Sequence, residues 1–113
     1  MDRNQINRVI SIYLRSLSGK IKIDRAILFG SALSGKLDRD SDIDLLVLSS
    51  AFNNMSGSER LDLLYTARNN SKTQEVPMDI FGMTPDEYLQ AGSLTIAGEI
   101  KETGRDIFSS ATP

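Results

Sequence analysis

A chain of 113 residues is long enough for one domain with a real core and too short for two, so we expect residues 1–113 to form a single domain. Its 40% hydrophobic and 25% charged residues are typical of a globular protein, and no apolar run is long enough for a bilayer, which favours a cytoplasmic location without a membrane partner. Cysteine and histidine are absent, which excludes disulfides, thiolate nucleophiles and a histidine base. The net charge of −2 lacks the basic surplus that indicates nucleic-acid binding.

The first half of the chain predicts one helix and two strands. Apolar residues recur at helical spacing on one face of an amphipathic helix that ends near Gly19: Ile6, Val9, Ile10, Tyr13, Leu14 and Leu17. We expect this helix only to pack on the core. Residues 23–29 and 42–48 are apolar runs that predict strands, and the polar loop 31–40 between them has room for a short helical turn.

Two capping boxes mark helix starts in the second half. Ser56 with Glu59 predicts a helix to about residue 69, and Thr84 with Glu87 predicts another that has proline at its first helical position. Between them, residues 76–81 predict a third strand.

Further local signals complete the order of elements. Pro77 has no backbone N–H to donate to a neighbouring strand, so we expect it at the start of the third strand or on a sheet edge. Residues 93–103 predict a last helix stopped by Gly104, and residues 105–108 are the candidate for a short final strand. The order predicts an α/β (α+β) fold, with a small mixed β-sheet and helices packed on it.

Two aspartates stand two residues apart in the second predicted strand. Asp42 and Asp44 would point to the same face, where like charges repel each other unless a cation lies between them. The alternative, a turn residue followed by a solvated strand position, conflicts with the apolar residues that fill both faces of this strand. Because Mg²⁺ takes carboxylate oxygens and completes its shell with water and phosphates, a metal site for a nucleotide is predicted.

The turn after the first strand is a candidate for phosphate binding. Gly30 allows close backbone approach, and the Ser31 hydroxyl is a donor to a phosphate oxygen, although such a pair is by itself a weak signal. Residues 30–36 also match the Walker A pattern through Lys36. The match fails at Leu37, where Ser or Thr is required, and no room remains for the long helix that should follow.

A third acidic residue would complete a two-metal site. Asp79 is the candidate because it stands inside an apolar strand, where an unpaired charge is costly. Asp24, Asp38 and Asp40 are weaker choices because they lie in loops or at a strand edge.

The set of Gly30 and Ser31, then Asp42 and Asp44, with Asp79 on a later strand, resembles the DNA polymerase β-type nucleotidyltransferase superfamily. Within it, the chain resembles the minimal nucleotidyltransferases that act as antitoxins beside all-helical HEPN toxins. The resemblance covers most of the chain and extends to the segment 96–108.

The resemblance implies transfer of AMP from ATP to a hydroxyl with release of pyrophosphate. It implies that Asp42 and Asp44 hold two Mg²⁺ ions, that Asp79 completes the shell and accepts the hydroxyl proton, and that Gly30 and Ser31 hold the β- and γ-phosphates. A tyrosine of a HEPN partner is the expected acceptor, because the sequence shows no acceptor-binding module.

Two alternatives remain open. The first is a small-molecule nucleotidyltransferase similar to the aminoglycoside-modifying enzymes, in which a homodimer would supply the missing substrate wall. The second is a non-catalytic antitoxin that neutralises its partner by contact; the presence of all three carboxylates counts against it.

Overall fold

The computed structural model describes residues 3–30 and 42–109. The helices are α1 (Arg3–Ser18), α2 (Gly57–Thr66), α3 (Ser71–Gln74), α4 (Pro85–Gln90) and α5 (Ile96–Thr103), and a 3-10 turn covers Ser50–Phe52. The strands are β1 (Arg25–Phe29), β2 (Ile43–Leu48), β3 (Met78–Met83) and β4 (Arg105–Ser109).

The four strands form one mixed sheet in the order β3-β2-β1-β4. Strand β1 pairs antiparallel with both β2 and β4, whereas β2 and β3 run parallel. The predicted small mixed sheet is therefore confirmed, and β3 and β4 are its edges within the described residues.

Both faces of the sheet carry helices. On one face, alternate residues of β1 and β2 pack with α1 and with Leu64 of α2 in the larger core. On the other face, Ile27, Leu46 and Leu48 pack with residues 88, 97 and 100 of α4 and α5. Strand β2 is thus covered on both sides from Leu45 onward, as its continuous apolar pattern predicted.

Local signals predicted the helix starts well. Both capping boxes form, at Ser56 and at Thr84, and Pro85 occupies the first turn of α4. The last helix begins later than predicted because the Thr95 hydroxyl accepts from the Gly98 amide and caps α5 there.

Two other boundaries differ from the predicted ones because of backbone hydrogen bonding. Helix α2 ends at Thr66 rather than near residue 69, because the Arg68 amide bonds to the Tyr65 carbonyl and tightens the last turn. Strand β3 begins after Pro77, whose carbonyl accepts from the Ile43 amide. The short helix α3 and the 3-10 turn were not predicted, and the turn predicted in loop 31–40 lies outside the described residues.

None of the helices in residues 3–30 and 42–109 combines the length and the apolar character required to cross a membrane.

Candidate active site

Sheet register brings the predicted site residues to one end of three strands. Asp44 of β2 pairs with Asp79 of β3 on one side and with Phe29 of β1 on the other. Asp42 directly precedes β2, and Gly30 directly follows β1. The site therefore lies where β1 ends and where β2 and β3 begin.

The three carboxylates act on one another. Partial burial raises the pKa of Asp44 most, and the charges of Asp79 and Asp42 raise it further. Partial desolvation also raises the pKa of Asp79, followed by the charge of Asp42 and a side-chain hydrogen bond with Asp42. The ion pairs of the described residues, Arg25–Asp106 and Arg60–Glu87, leave these three carboxylates without a basic partner from that part of the chain.

This donor set has the chemistry of a hard-cation site. No group of three acidic side chains within residues 3–30 and 42–109 has the geometry of a preformed metal site. Asp42, Asp44 and Asp79 nevertheless supply the carboxylate oxygens with which a divalent cation would be coordinated. The mutual repulsion at Asp44 and Asp79 is the electrostatic condition that a bound cation relieves, so the residues fit Mg²⁺.

The burial predicted for Asp79 is wrong. Strand β3 is an edge strand with alternating burial, and Asp79 is exposed on the same side as Phe81, which is 46% exposed. The cost of a buried charge is therefore no argument for Asp79. Its place in the site rests on its register with Asp44 and on the charge of Asp42, which raises its pKa.

Glycine is required at position 30 for two reasons. Gly30 has φ of +75°, a conformation that side chains of L-residues rarely adopt. A Cβ at this position would also collide with the carboxylate of Asp44. Gly30 therefore gives the Asp44 carboxylate its space.

The remaining sequence candidates separate into two groups. Ser31, Lys36, Asp38 and Asp40 lie outside the described residues, so the role of Ser31 stays a prediction. Asp24 lies at the opposite end of the sheet, where its Oδ2 accepts from the Ser50 amide at 2.8 Å, which is a structural contact.

An apolar groove of about 550 Å³ lies on the face of the sheet that carries Asp44 and Asp79, although neither carboxylate lines it. Leu46 and Phe81 follow Asp44 and Asp79 on their strands and form its floor, while Leu61 of α2 and Ile96 of α5 line its sides. The sequence did not reveal this groove, because its walls come from segments that are distant in the chain.

The sequence and the fold were compared with known proteins. Residues 10–105 match the sequence profile of the nucleotidyltransferase domain family. No curated protein matches the chain significantly.

Three solved structures share the fold. A candidate nucleotidyltransferase from Sulfolobus solfataricus superposes with a TM-score of 0.67 at 14% identity, over 94% of this chain and 84% of that one. A toxin–antitoxin structure with AMP-PNP superposes with a TM-score of 0.63 at 20% identity, over 93% of this chain and 74% of that one.

The third structure is a mutant of the toxin–antitoxin pair MntA-HpeT, in which two aspartates two positions apart are replaced by glutamate. It superposes with a TM-score of 0.60 at 17% identity, over 93% of this chain and 73% of that one. The profile match spans most of the 113 residues, and the chain therefore belongs to the nucleotidyltransferase domain family, as its motifs predicted.

Proposed function

We propose that this protein transfers AMP from ATP to a tyrosine hydroxyl of a HEPN toxin, and that it acts in the cytoplasm as the antitoxin of that pair. The observation that carries this proposal is the convergence of Asp42, Asp44 and Asp79 beside the glycine turn at the end of β1. Residues 1–113 would serve as a single minimal nucleotidyltransferase domain.

Each site residue has a role in this proposal. Asp42, Asp44 and Asp79 would hold two Mg²⁺ ions, and the charge of these ions would neutralise the phosphates and stabilise the attacking and leaving oxygens. Gly30 leaves the triphosphate room to approach the backbone, and Ser31 donates its hydroxyl to a phosphate oxygen. Asp79 takes the proton of the attacking hydroxyl. Its exposure at the sheet edge supports this role, because an incoming hydroxyl can reach it there.

The reaction balances as a single displacement at the α-phosphorus of ATP. A bond forms between the acceptor oxygen and the α-phosphorus, and the bond from that phosphorus to the bridging oxygen of the β-phosphate breaks. Pyrophosphate leaves with the bonding electrons, and the proton of the hydroxyl passes to Asp79. Positioning and charge neutralisation supply most of the acceleration in such transfers.

Support for a toxin partner comes from the structural neighbours. Two of them are named as toxin–antitoxin structures, and one of these contains AMP-PNP, an ATP analogue. The other carries substitutions at a pair of aspartates with the spacing of Asp42 and Asp44 here.

A second candidate function is favoured by the apolar groove. Its volume of about 550 Å³ lies within the range of small-molecule sites, and it lies on the face of the sheet that carries Asp44 and Asp79. A small-molecule alcohol, bound by a monomer or across a homodimer, is therefore the alternative acceptor, and the apolar lining favours one less polar than the aminoglycosides expected from the sequence.

The test is incubation with labelled ATP, Mg²⁺ and the protein encoded by the neighbouring reading frame, followed by mass spectrometry of both chains. We expect AMP on a tyrosine of the partner, lost in Asp42→Asn and retained in Asp62→Asn. The second variant is the matched control, because it removes an exposed carboxylate on α2 that is not one of the three site carboxylates.

Two outcomes would overturn the proposal. An unmodified partner that is still bound and inhibited would show the contact-only antitoxin. Label that passes only to a small alcohol would show the small-molecule enzyme.

A further inference from the structure

The outer edge of β3 carries backbone groups that no strand satisfies in the described part of the chain. The amides of Ile43 and Ser49 bond to the carbonyls of Pro77 and Met83, so the odd-numbered residues of this segment direct their backbone groups toward β2. The even-numbered residues, Met78 and Ile80 among them, therefore direct theirs outward.

At this edge, a tyrosine side chain of α2 makes the backbone hydrogen bonds that a neighbouring strand would otherwise make. The hydroxyl of Tyr65 accepts from the Ile80 amide at 3.0 Å and donates to the Met78 carbonyl at 3.4 Å, the weaker of the two bonds. These are the residues on either side of Asp79. One hydroxyl group therefore bridges the backbone across the residue that faces Asp42 and Asp44.

We propose that Tyr65 is a positioning residue, whose hydroxyl holds the β3 edge on both sides of Asp79 and so fixes where the Asp79 carboxylate points. The inference rests on the proposed function, because it gives Tyr65 its effect through the role of Asp79 there. The backbone of β3 at Asp79 pairs with β2 on one side. On the other side, the Tyr65 hydroxyl bonds to the backbone of the residues that flank Asp79.

Tyr65 is itself held in place. The Arg68 guanidinium lies 5.9 Å from the centre of the Tyr65 ring, and its Nη2 donates to the carbonyls of Thr73 and Val76. The Arg68 side chain thus supports the Tyr65 ring from the segment that leads into β3.

The backbone contact matters because Asp79 is exposed on an edge strand. Edge strands open more readily than central ones, and the side chains of residues 3–30 and 42–109 leave this carboxylate exposed. Since a displacement of about 1 Å at a catalytic group costs up to about 100-fold in rate, loss of one edge contact is enough to be measurable.

The test compares Tyr65→Phe with Tyr13→Phe. Each variant loses one hydroxyl that bonds to backbone, and only the first loses the bonds beside Asp79. In Tyr65→Phe we expect faster hydrogen exchange of the Ile80 amide by NMR and weaker Mn²⁺ binding by electron paramagnetic resonance. We also expect kcat to fall about tenfold while KM for ATP changes less than about twofold. In Tyr13→Phe we expect lower thermal stability with these three properties unchanged.

The outcomes separate this inference from the proposed function. An unchanged kcat and Mn²⁺ affinity in Tyr65→Phe would overturn the positioning role, as would an equal loss in Tyr13→Phe, which would indicate general destabilisation. If the wild-type protein transfers no nucleotide to any acceptor, the proposed function fails. Ile80 exchange and Mn²⁺ affinity then still decide whether Tyr65 positions Asp79.

Discussion

Replacing Gly30 with alanine perturbs the contact between the turn after β1 and the Asp44 carboxylate. The positive φ of +75° costs an alanine about 1 kcal/mol of folding free energy. The new Cβ would also overlap the Asp44 carboxylate, and moving that side chain off its preferred rotamer costs about 1 kcal/mol more. We therefore expect Gly30→Ala to lower the free energy of unfolding by about 2 kcal/mol.

Urea denaturation of Gly30→Ala in the wild type and in Asp44→Ala separates the cost of the positive φ from the cost of the overlap with Asp44. In Asp44→Ala the obstructing carboxylate is gone, so the cost of Gly30→Ala should fall to about 1 kcal/mol, which leaves a coupling of about 1 kcal/mol between the sites. Gly57→Ala is the matched control, because nothing lies within 4 Å of its added Cβ. It should change stability by less than about 0.5 kcal/mol.

The same substitution should reduce nucleotidyl transfer in the wild-type background. A displaced Asp44 carboxylate is expected to lower the rate by about 100-fold at a temperature where the variant is still folded. Equal costs of Gly30→Ala in both backgrounds, or full activity in the variant, would refute the reasoning that Gly30 makes room for Asp44.

Three further predictions concern the acidic residues. Because Asp79 is exposed, Asp79→Asn should leave the free energy of unfolding within about 0.5 kcal/mol while transfer falls by at least about 100-fold, and a large loss of stability measured on the same protein would contradict this. Mg²⁺ with ATP should raise the melting temperature, and an undiminished rise in the Asp42→Asn, Asp44→Asn double variant would oppose metal binding there. Hydrogen bonding to Arg60 chiefly lowers the pKa of Glu87 from 4.5 to about 2, so its stabilising effect is complete above pH 4.5 and is lost as the pH falls toward 2. Glu87→Gln should therefore cost about 1 kcal/mol at pH 7 after solvent screening and approach the wild type near pH 2, whereas a pH-independent difference in denaturation would exclude this cause.

Local chemistry made the helices and the aspartate pair predictable. A capping box such as Ser56 with Glu59 satisfies its amides within one turn, so its sequence alone marks a helix start. The two-residue spacing of Asp42 and Asp44 likewise predicted that their charges interact, although Asp42 directly precedes β2 and does not belong to it.

The environment of Asp79 was not predictable because it depends on strand order. The sequence around it is apolar, which suggested a buried strand, but β3 pairs with β2 alone among the described strands and exposes alternate residues. The hydrogen bond from the Ile80 amide to Tyr65 spans 15 residues, and no local pattern encodes it. The walls of the apolar groove are likewise assembled from elements that meet only in the folded chain.

Anomalous diffraction from crystals grown with Mn²⁺ and a non-hydrolysable ATP analogue tests the central claim most directly. The account predicts manganese within about 2.3 Å of carboxylate oxygens of Asp42, Asp44 and Asp79, with the phosphates beside Gly30. Manganese bound only to phosphate oxygens or elsewhere on the protein, with these three carboxylates uncoordinated, would contradict it.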